Sequence, residues 1–182
     1  MLKMKKIIIA SLVATTFCAS SVMAQPTEVE FVGNVSKATC SLSPVVGGAT
    51  KTQIDLGTVE RGSRGTEIDF TLKPTANAAG CNLNSSNTVT ISWDADLDVG
   101  GLKNTSGTAN GAIMTLVAQN VTASSTGAIT KGNTTNEFDL DKKGTADAAI
   151  PAAGLAYKAK LDATNATEGT FRTVARYEAS YN

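Results

Sequence analysis

Three alternate aspartates, Asp94, Asp96 and Asp98, are the side chains whose spacing could best hold a metal ion. A calcium-binding EF-hand loop begins with acidic residues at alternate positions, but it also needs Gly at its sixth position and Glu at its twelfth. The chain has Val99 and Thr105 there. We therefore interpret the three carboxylates as solvent-exposed side chains of a loop, and the sequence predicts no metal and no other cofactor.

Catalytic groups are scarce in the sequence. Histidine is absent, which removes the commonest general base, the usual partner of a nucleophilic Ser or Cys, and the commonest metal ligand. The chain also lacks a Cys-x-x-Cys pair and the glycine-rich patterns that bind phosphate groups. We expect a protein that is not an enzyme.

The first 24 residues are typical of a secretory signal peptide. Three lysines precede an apolar run over 7–13, and a small-x-small site ends before Gln25. The run is shorter than the roughly 20 residues of a membrane-spanning helix. A lipoprotein anchor at Cys18 is the alternative, but the residue before a modified cysteine should be small and here it is Phe17.

Cleavage before Gln25 would remove 24 of the 182 residues and leave 158, a length that suits a single domain over 25–182. The leader contains three of the 16 basic residues and no acidic residue, so the mature chain has 13 basic and 16 acidic residues and a net charge of −3. This balance gives no support to a nucleic-acid partner, which would require a clustered basic face.

Two cysteines, Cys40 and Cys81, remain in the exported chain. In an oxidising compartment we expect a disulfide between them, and two free buried thiols are the alternative. Closing a loop of about 40 residues stabilises the fold by roughly 4 kcal/mol through the entropy of the unfolded chain.

Apolar and polar residues alternate in eight stretches, with the period of two that is typical of half-buried strands. The stretches are Val29–Val35, Ile54–Leu56, Ile68–Leu72, Val89–Trp93, Ile113–Val117, Phe138–Leu140, Leu155–Leu161 and Phe171–Tyr181. Segments rich in Gly, Asn, Thr and Ser separate them, and the Ala-rich segment 145–153, with Pro151, is expected to be a loop or one short turn. The pattern predicts an all-β antiparallel sandwich.

The last 14 residues, from Gly169 to Asn182, form the longest alternating stretch, which predicts an uninterrupted strand. One face carries Phe171, Thr173, Ala175, Tyr177, Ala179 and Tyr181. An ordinary half-buried strand explains the alternation. It does not explain a glycine fourteen residues from the end together with an aromatic residue second from the end.

These two positions resemble the C-terminal signature of pilins of the chaperone-usher pathway. The start of the mature chain agrees, because alternating apolar residues, Gly33 and then Cys40 resemble the opening of a pilin. Ile54–Val59 and Phe70–Lys73 resemble the strands that follow. The resemblance covers residues 29–182. Between Asn82 and Glu168 it depends mainly on the spacing of the strands. It is closest to major fimbrial subunits of enterotoxigenic enteric bacteria.

The resemblance implies an incomplete immunoglobulin-like sandwich, which lacks its seventh strand and is completed by a strand from another molecule. A periplasmic chaperone would supply that strand first, beside Gly169 and the six inward-facing residues from Phe171 to Tyr181. At an outer-membrane usher, the segment 25–31 of the next subunit would replace it, with Val29 and Phe31 filling the groove. The product would be a head-to-tail polymer of identical or related subunits, exported through the periplasm to an extracellular fimbrium.

The donor segment departs from the family pattern. Only Gln25-Pro26-Thr27-Glu28 precedes Val29 in the expected mature chain, whereas relatives often have a longer extension and a Gly where this chain has Thr27. The far end of the groove would then stay unfilled, unless cleavage occurs earlier than position 24.

Two functions from different classes remain open at this point. The first is a major structural subunit of an adhesive fimbria. The second is a minor or adhesive pilin that itself binds host glycans. The position of such a glycan site is not indicated by the sequence, because Trp93, Lys131 and Lys142-Lys143 fit the core or a solvent-exposed loop equally well. A two-domain tip adhesin would need an additional lectin domain, and a terminating subunit would lack Val29 and Phe31. A freestanding secreted sandwich or hydrolase would be a stable monomer that needs no chaperone.

Overall fold

The computed structural model describes residues 40–75, 86–143 and 147–182. The chain forms two compact units, Met1–Val35 and Ser36–Asn182. The first unit lies outside the described residues, as do the expected signal peptide, the donor residues Val29 and Phe31, and Cys81.

Alternation of apolar and polar residues produces strands in which every second side chain is buried, as in the stretch Leu155–Asp162. The described residues form thirteen strands and no helix. The strands are β1 Leu42–Val46, β2 Ala49–Thr50, β3 Ile68–Pro74, β4 Thr88–Ala95, β5 Leu97–Asp98, β6 Gly101–Lys103, β7 Ile113–Ala118, β8 Ala128–Ile129, β9 Thr135–Asp139, β10 Asp141–Lys143, β11 Asp147–Ala149, β12 Leu155–Asp162 and β13 Ala175–Tyr181. This part of the chain thus contains no helix able to span a membrane.

The strands form two main sheets and one hairpin. The larger sheet has the order β2-β1-β3-β12-β7-β6-β5, with β8 also paired to β7, and the smaller has the order β13-β4-β9. Strands β10 and β11 form the hairpin, and every strand pair is antiparallel. Buried side chains of both sheets belong to one core cluster, so the predicted all-β antiparallel sandwich is confirmed.

Tyr157 of β12 joins the two sheets at the centre of that core. Its ring stacks on Phe70 of the same sheet at a centroid distance of 5.4 Å, and meets Trp93 and Phe138 of the smaller sheet at 5.4 and 5.6 Å. Trp93 Nε1 donates a hydrogen bond to the Tyr157 hydroxyl at 3.3 Å. Few aromatic residues are available in this chain, and four of them meet here to fix the spacing of the sheets.

Three expectations about individual segments are wrong. Ile54–Leu56 is not a strand, because its backbone pairs with no neighbouring strand among the described residues. The segment 145–153 was expected to be a loop or short turn, and it contains β11, followed by a turn in which Gly154 N donates to Pro151 O at 2.7 Å. The last strand begins at Ala175 and not at Phe171, because the residues before it pair with a loop.

Candidate functional site: a cleft beside the last strand

Among the described residues, strand β13 is the outer strand of the smaller sheet. It pairs with β4 from Ala175 opposite Ala95 to Tyr181 opposite Val89, and no strand of the described residues lies on its other side. Asn182 and Thr88 exchange two backbone hydrogen bonds, at 3.0 and 3.2 Å. In an antiparallel pair such bonds alternate along the strand. The odd-numbered residues of β13 therefore direct their backbone N–H and C=O groups to the side away from β4.

The same odd-numbered residues direct their side chains inward. Ala175, Tyr177, Ala179 and Tyr181 are half-buried, and the even-numbered residues between them are exposed. Phe171 and Thr173 continue this pattern ahead of the strand, while Val174 is 65% exposed. The face predicted from sequence is thus continuous from Phe171 to Tyr181, although the regular strand is shorter.

A loop over 104–109 holds the segment that leads into β13. Thr105 N donates to Arg172 O at 2.9 Å and Ala109 N donates to Thr170 O at 3.0 Å. The Asn104 side chain accepts from Arg172 N and donates to Thr170 O, both at 2.9 Å. These contacts use the backbone groups of Thr170 and Arg172 and leave Phe171 and Thr173 facing the opposite way.

A cavity of about 760 Å³ lies beside this face. Its walls include the extended segment at Ile54 and Leu56, the core side chains Phe70 and Trp93, and the residues from Phe171 to Tyr177. The cavity is a cleft open to solvent, and its lining mixes apolar residues with polar ones such as Lys51, Asp55 and Arg61.

Small side chains widen one end of the cavity. A separate cluster of buried residues, Ala109, Ala112, Leu161, Ala163 and Ala166, lies there, with Leu56, Val59 and Phe171 packed against it. All eight residues line the cavity. Four alanines at positions where a core commonly has larger residues leave room for side chains from outside.

Two tyrosine hydroxyls close the other end. Tyr177 donates to Leu42 O at 2.8 Å and Tyr181 donates to Cys40 O at 2.7 Å. Neither Ala179 nor Tyr181 lines the cavity, so the inward face of this segment borders the cavity from Phe171 to Tyr177, over four alternate positions.

The full sequence is similar to two fimbrial proteins of Escherichia coli. The F107 fimbrial protein is 36% identical over 179 residues, covering 98% of this chain and 99% of that protein. The K99 fimbrial protein is 33% identical over 140 residues, covering 74% of this chain and 76% of its own length. This chain belongs to the fimbrial protein family. No family model matches it.

Membership of the fimbrial protein family indicates the location and the function of the chain. It is a subunit of the fimbrium at the cell surface, it assembles with other subunits, and it serves adhesion. A structural role of this kind favours the expectation that the protein is not an enzyme.

The other sequence-predicted residues of this fimbrial protein lie as follows. Cys40 is buried and disulfide-bonded, with Cys81 outside the described residues. Trp93 belongs to the core, Lys131 is exposed in a turn, and Lys142-Lys143 lie in β10. No glycan site is indicated by these positions.

The three alternate aspartates each have a partner on the surface of the fimbrial protein. Asp94 lies 4.0 Å from Arg176, Asp96 lies 3.1 Å from Lys103, and Asp98 Oδ1 accepts from Val99 N at 2.6 Å. The described residues contain no group of three potential metal ligands. Exposed pairs of this kind contribute little to stability.

We expect the tyrosines that close the cleft to make stability sensitive to base. Burial raises the pKa of Tyr181 to about 12 and raises the pKa of Tyr177 above that of a free phenol. Above pH 10 the unfolded phenol loses its proton while the folded one keeps it, so stability is full below pH 10 and falls as the pH rises towards 12. Denaturant midpoints of the purified protein at pH 8, 10 and 11 should show this fall.

The matched variants are Tyr181→Phe, which should reduce the slope above pH 10, and Ser180→Ala on the exposed face of the same strand, which should keep it. An unchanged slope in Tyr181→Phe would contradict the assignment.

Proposed function

We propose that this fimbrial protein is the major structural subunit of an adhesive fimbria and that it polymerises by donor-strand exchange. Residues 25–31 of one subunit would enter the cleft of the next. The observation that supports the proposal is the 760 Å³ cavity beside a strand whose outer edge has no strand partner among the described residues. An added strand would fill the space and pair with the open edge at the same time.

Two energetic contributions favour such an insertion. Burial of Val29 and Phe31 would contribute about 3 to 6 kcal/mol together, at 1.5 to 3 kcal/mol for each side chain. The odd-numbered residues from Phe171 to Tyr177 offer backbone donors and acceptors, and each new bond would add about 0.5 to 1.5 kcal/mol. Backbone hydrogen bonds would provide most of the binding free energy, and alternate side chains would set the register of the inserted strand.

The open cleft would also explain why the subunit would need a chaperone and an usher. An unpaired strand edge next to a cleft with partly apolar walls is a template for aggregation. A periplasmic chaperone that covers this edge would keep the subunit able to polymerise. At an outer-membrane usher, the donor segment of the next subunit would then replace the chaperone. Because donor and cleft are different surfaces of one molecule, repeated contacts make an open filament and not a closed ring.

Expression with and without the cognate chaperone tests the proposal. We expect the subunit alone to be degraded or aggregated, and the co-expressed subunit to be recovered as a complex. With the usher present, unheated samples should give a ladder of multimers on a gel, because dissociation requires partial unfolding of the acceptor. A stable, soluble monomer obtained without chaperone would overturn the proposal.

A further inference from the structure

The chain contains a single Asn-Gly pair, Asn110-Gly111, which forms a turn just before β7. Both residues are exposed. In such a pair the backbone nitrogen of the glycine can attack the side-chain amide carbon of the asparagine, because glycine has no side chain to hinder the approach. Asparagine followed by glycine is for this reason the context most prone to spontaneous deamidation. The turn is therefore a candidate site of covalent modification.

The reacting groups of this turn are free, although the turn itself is held in place. Asn110 N donates to Thr167 Oγ1 at 2.9 Å, and Thr167 N donates to Asn110 O at 2.8 Å. Within the described residues, neither the N–H group of Gly111 nor the side-chain amide of Asn110 forms a hydrogen bond. The attacking nitrogen and the amide that it attacks are thus both available on the surface.

The fold requires glycine at the second position of the pair. Gly111 has a φ of 79°, which favours glycine, and a Cβ there would clash with the carbonyl oxygen of Asn165. Asn165 is a useful comparison, because it is also exposed but is followed by Ala166. The Ala166 methyl group hinders the attack, and Ala166 N already donates to Ala163 O at 3.1 Å. Deamidation should therefore be slower at Asn165.

We propose that Asn110 is a site of spontaneous deamidation and isomerisation. The Gly111 nitrogen forms a bond to Cγ of Asn110 and gives its proton to the departing amide, which leaves as ammonia. Water then opens the resulting succinimide at either carbonyl and produces aspartate or isoaspartate. In isoaspartate the main chain runs through Cβ and Cγ, so the backbone gains one carbon atom. The carbonyl group that accepts from Thr167 N becomes part of a free carboxylate.

The modified linkage would lie in the wall of the cleft. Ala109 and Ala112 flank the pair, and both are buried in the alanine cluster and line the cavity. The same loop holds the segment that leads into β13, through the hydrogen bond from Ala109 N to Thr170 O at 3.0 Å. A longer backbone and an added negative charge between the two alanines would disturb this packing. We therefore expect the isoaspartate form to be less stable than the unmodified subunit.

Incubation of purified fimbriae at mildly alkaline pH tests the site, because base promotes removal of the glycine N–H proton. Trypsin releases residues 104–131 and 161–172 as peptides that contain Asn110 and Asn165, so mass spectrometry of one digest measures both. We expect aspartate and isoaspartate to accumulate at Asn110 faster than at Asn165. The denaturant midpoint, followed by the fluorescence of Trp93, the single tryptophan, should fall over the same period.

Asn110→Gln is the test variant, because its side chain keeps the amide but would have to close a larger ring, which forms far more slowly. We expect loss of the modification at this turn and a denaturant midpoint that stays constant during incubation. Asn165→Gln is the matched control and should change with time as the wild type does. An unmodified Asn110, or equal rates at Asn110 and Asn165, would overturn the site. Modification without a fall in the midpoint would overturn its effect on the cleft wall. Neither measurement depends on donor-strand exchange.

Discussion

Deletion of residues 25–31 from the mature subunit is expected to abolish the multimer ladder while chaperone binding persists. The cleft and the edge strand belong to the part of the chain that begins after this segment, so the deleted subunit keeps its acceptor surface. It loses Val29 and Phe31, whose burial would contribute about 3 to 6 kcal/mol to each contact. A loss of that size lowers the association constant by more than a hundredfold at each joint, and a filament contains many joints.

A paired substitution separates the role of the apolar face from the length of the segment. Val29→Ser with Phe31→Ser should reproduce the deletion. Glu28→Ser with Glu30→Ser changes the opposite face of the same segment and should leave the ladder unchanged. Co-purification with the chaperone and unheated gels of whole-cell fimbriae measure both properties. An undisturbed ladder after the deletion would contradict donor-strand exchange by this segment.

The main strands were predicted well from the sequence, because the alternation of apolar and polar residues shows which side chains of a strand are buried. The alternation at Ile68–Leu72, Val89–Trp93 and Leu155–Leu161 appears in β3, β4 and β12 as alternate buried and exposed side chains. Such alternation is local and strong. It failed at Ile54–Leu56, where two apolar residues pack against the core but no strand of the described residues pairs with them.

Two short strands without an alternating pattern were not predicted. Strand β1 contains Pro44 and was not expected, although Gly47-Gly48 after it is a hairpin signal: both glycines have positive φ, 57° and 83°, as a two-residue turn requires. Strand β11 forms only by pairing with β10. Neither strand shows a clear alternating pattern of its own.

For the candidate site, the sequence indicated which side chains face inward. The alternate residues from Phe171 to Tyr181 are half-buried in the structure, and their role in a groove stays a prediction. Its boundaries depend on long-range contacts: the hydroxyl bonds of Tyr177 and Tyr181 join residues 135 and 141 positions apart, and the alanine cluster gathers residues from 109 to 166. Nothing in the local pattern of an Ala-rich loop indicates that it forms the end of a cleft.

Gly107 and Gly169, where the loop over 104–109 meets the segment leading into β13, should be the most sensitive points of the cleft wall. A Cβ at Gly169 would lie 2.5 Å from Thr108 Oγ1 and 2.6 Å from Ala109 N, on a backbone with φ of 151°. A Cβ at Gly107 would meet the carbonyl group of Thr170. Either side chain would push the segment that carries Phe171 and Thr173 away from its loop, because the clashing atoms belong largely to the backbone and cannot rotate aside.

We expect Gly169→Ala and Gly107→Ala each to destabilise the subunit by about 2 to 4 kcal/mol, from overpacking in both variants and also from the strained backbone conformation at Gly169. Gly132→Ala is the matched control: its Cβ would meet nothing within 4 Å, so its stability should stay within about 0.5 kcal/mol of wild type. Denaturant midpoints of the chaperone-released or polymerised protein measure the effect, and the yield of chaperone complex should fall with it. Wild-type stability in both Gly169→Ala and Gly107→Ala would show that the loop over 104–109 does not hold the cleft wall in place.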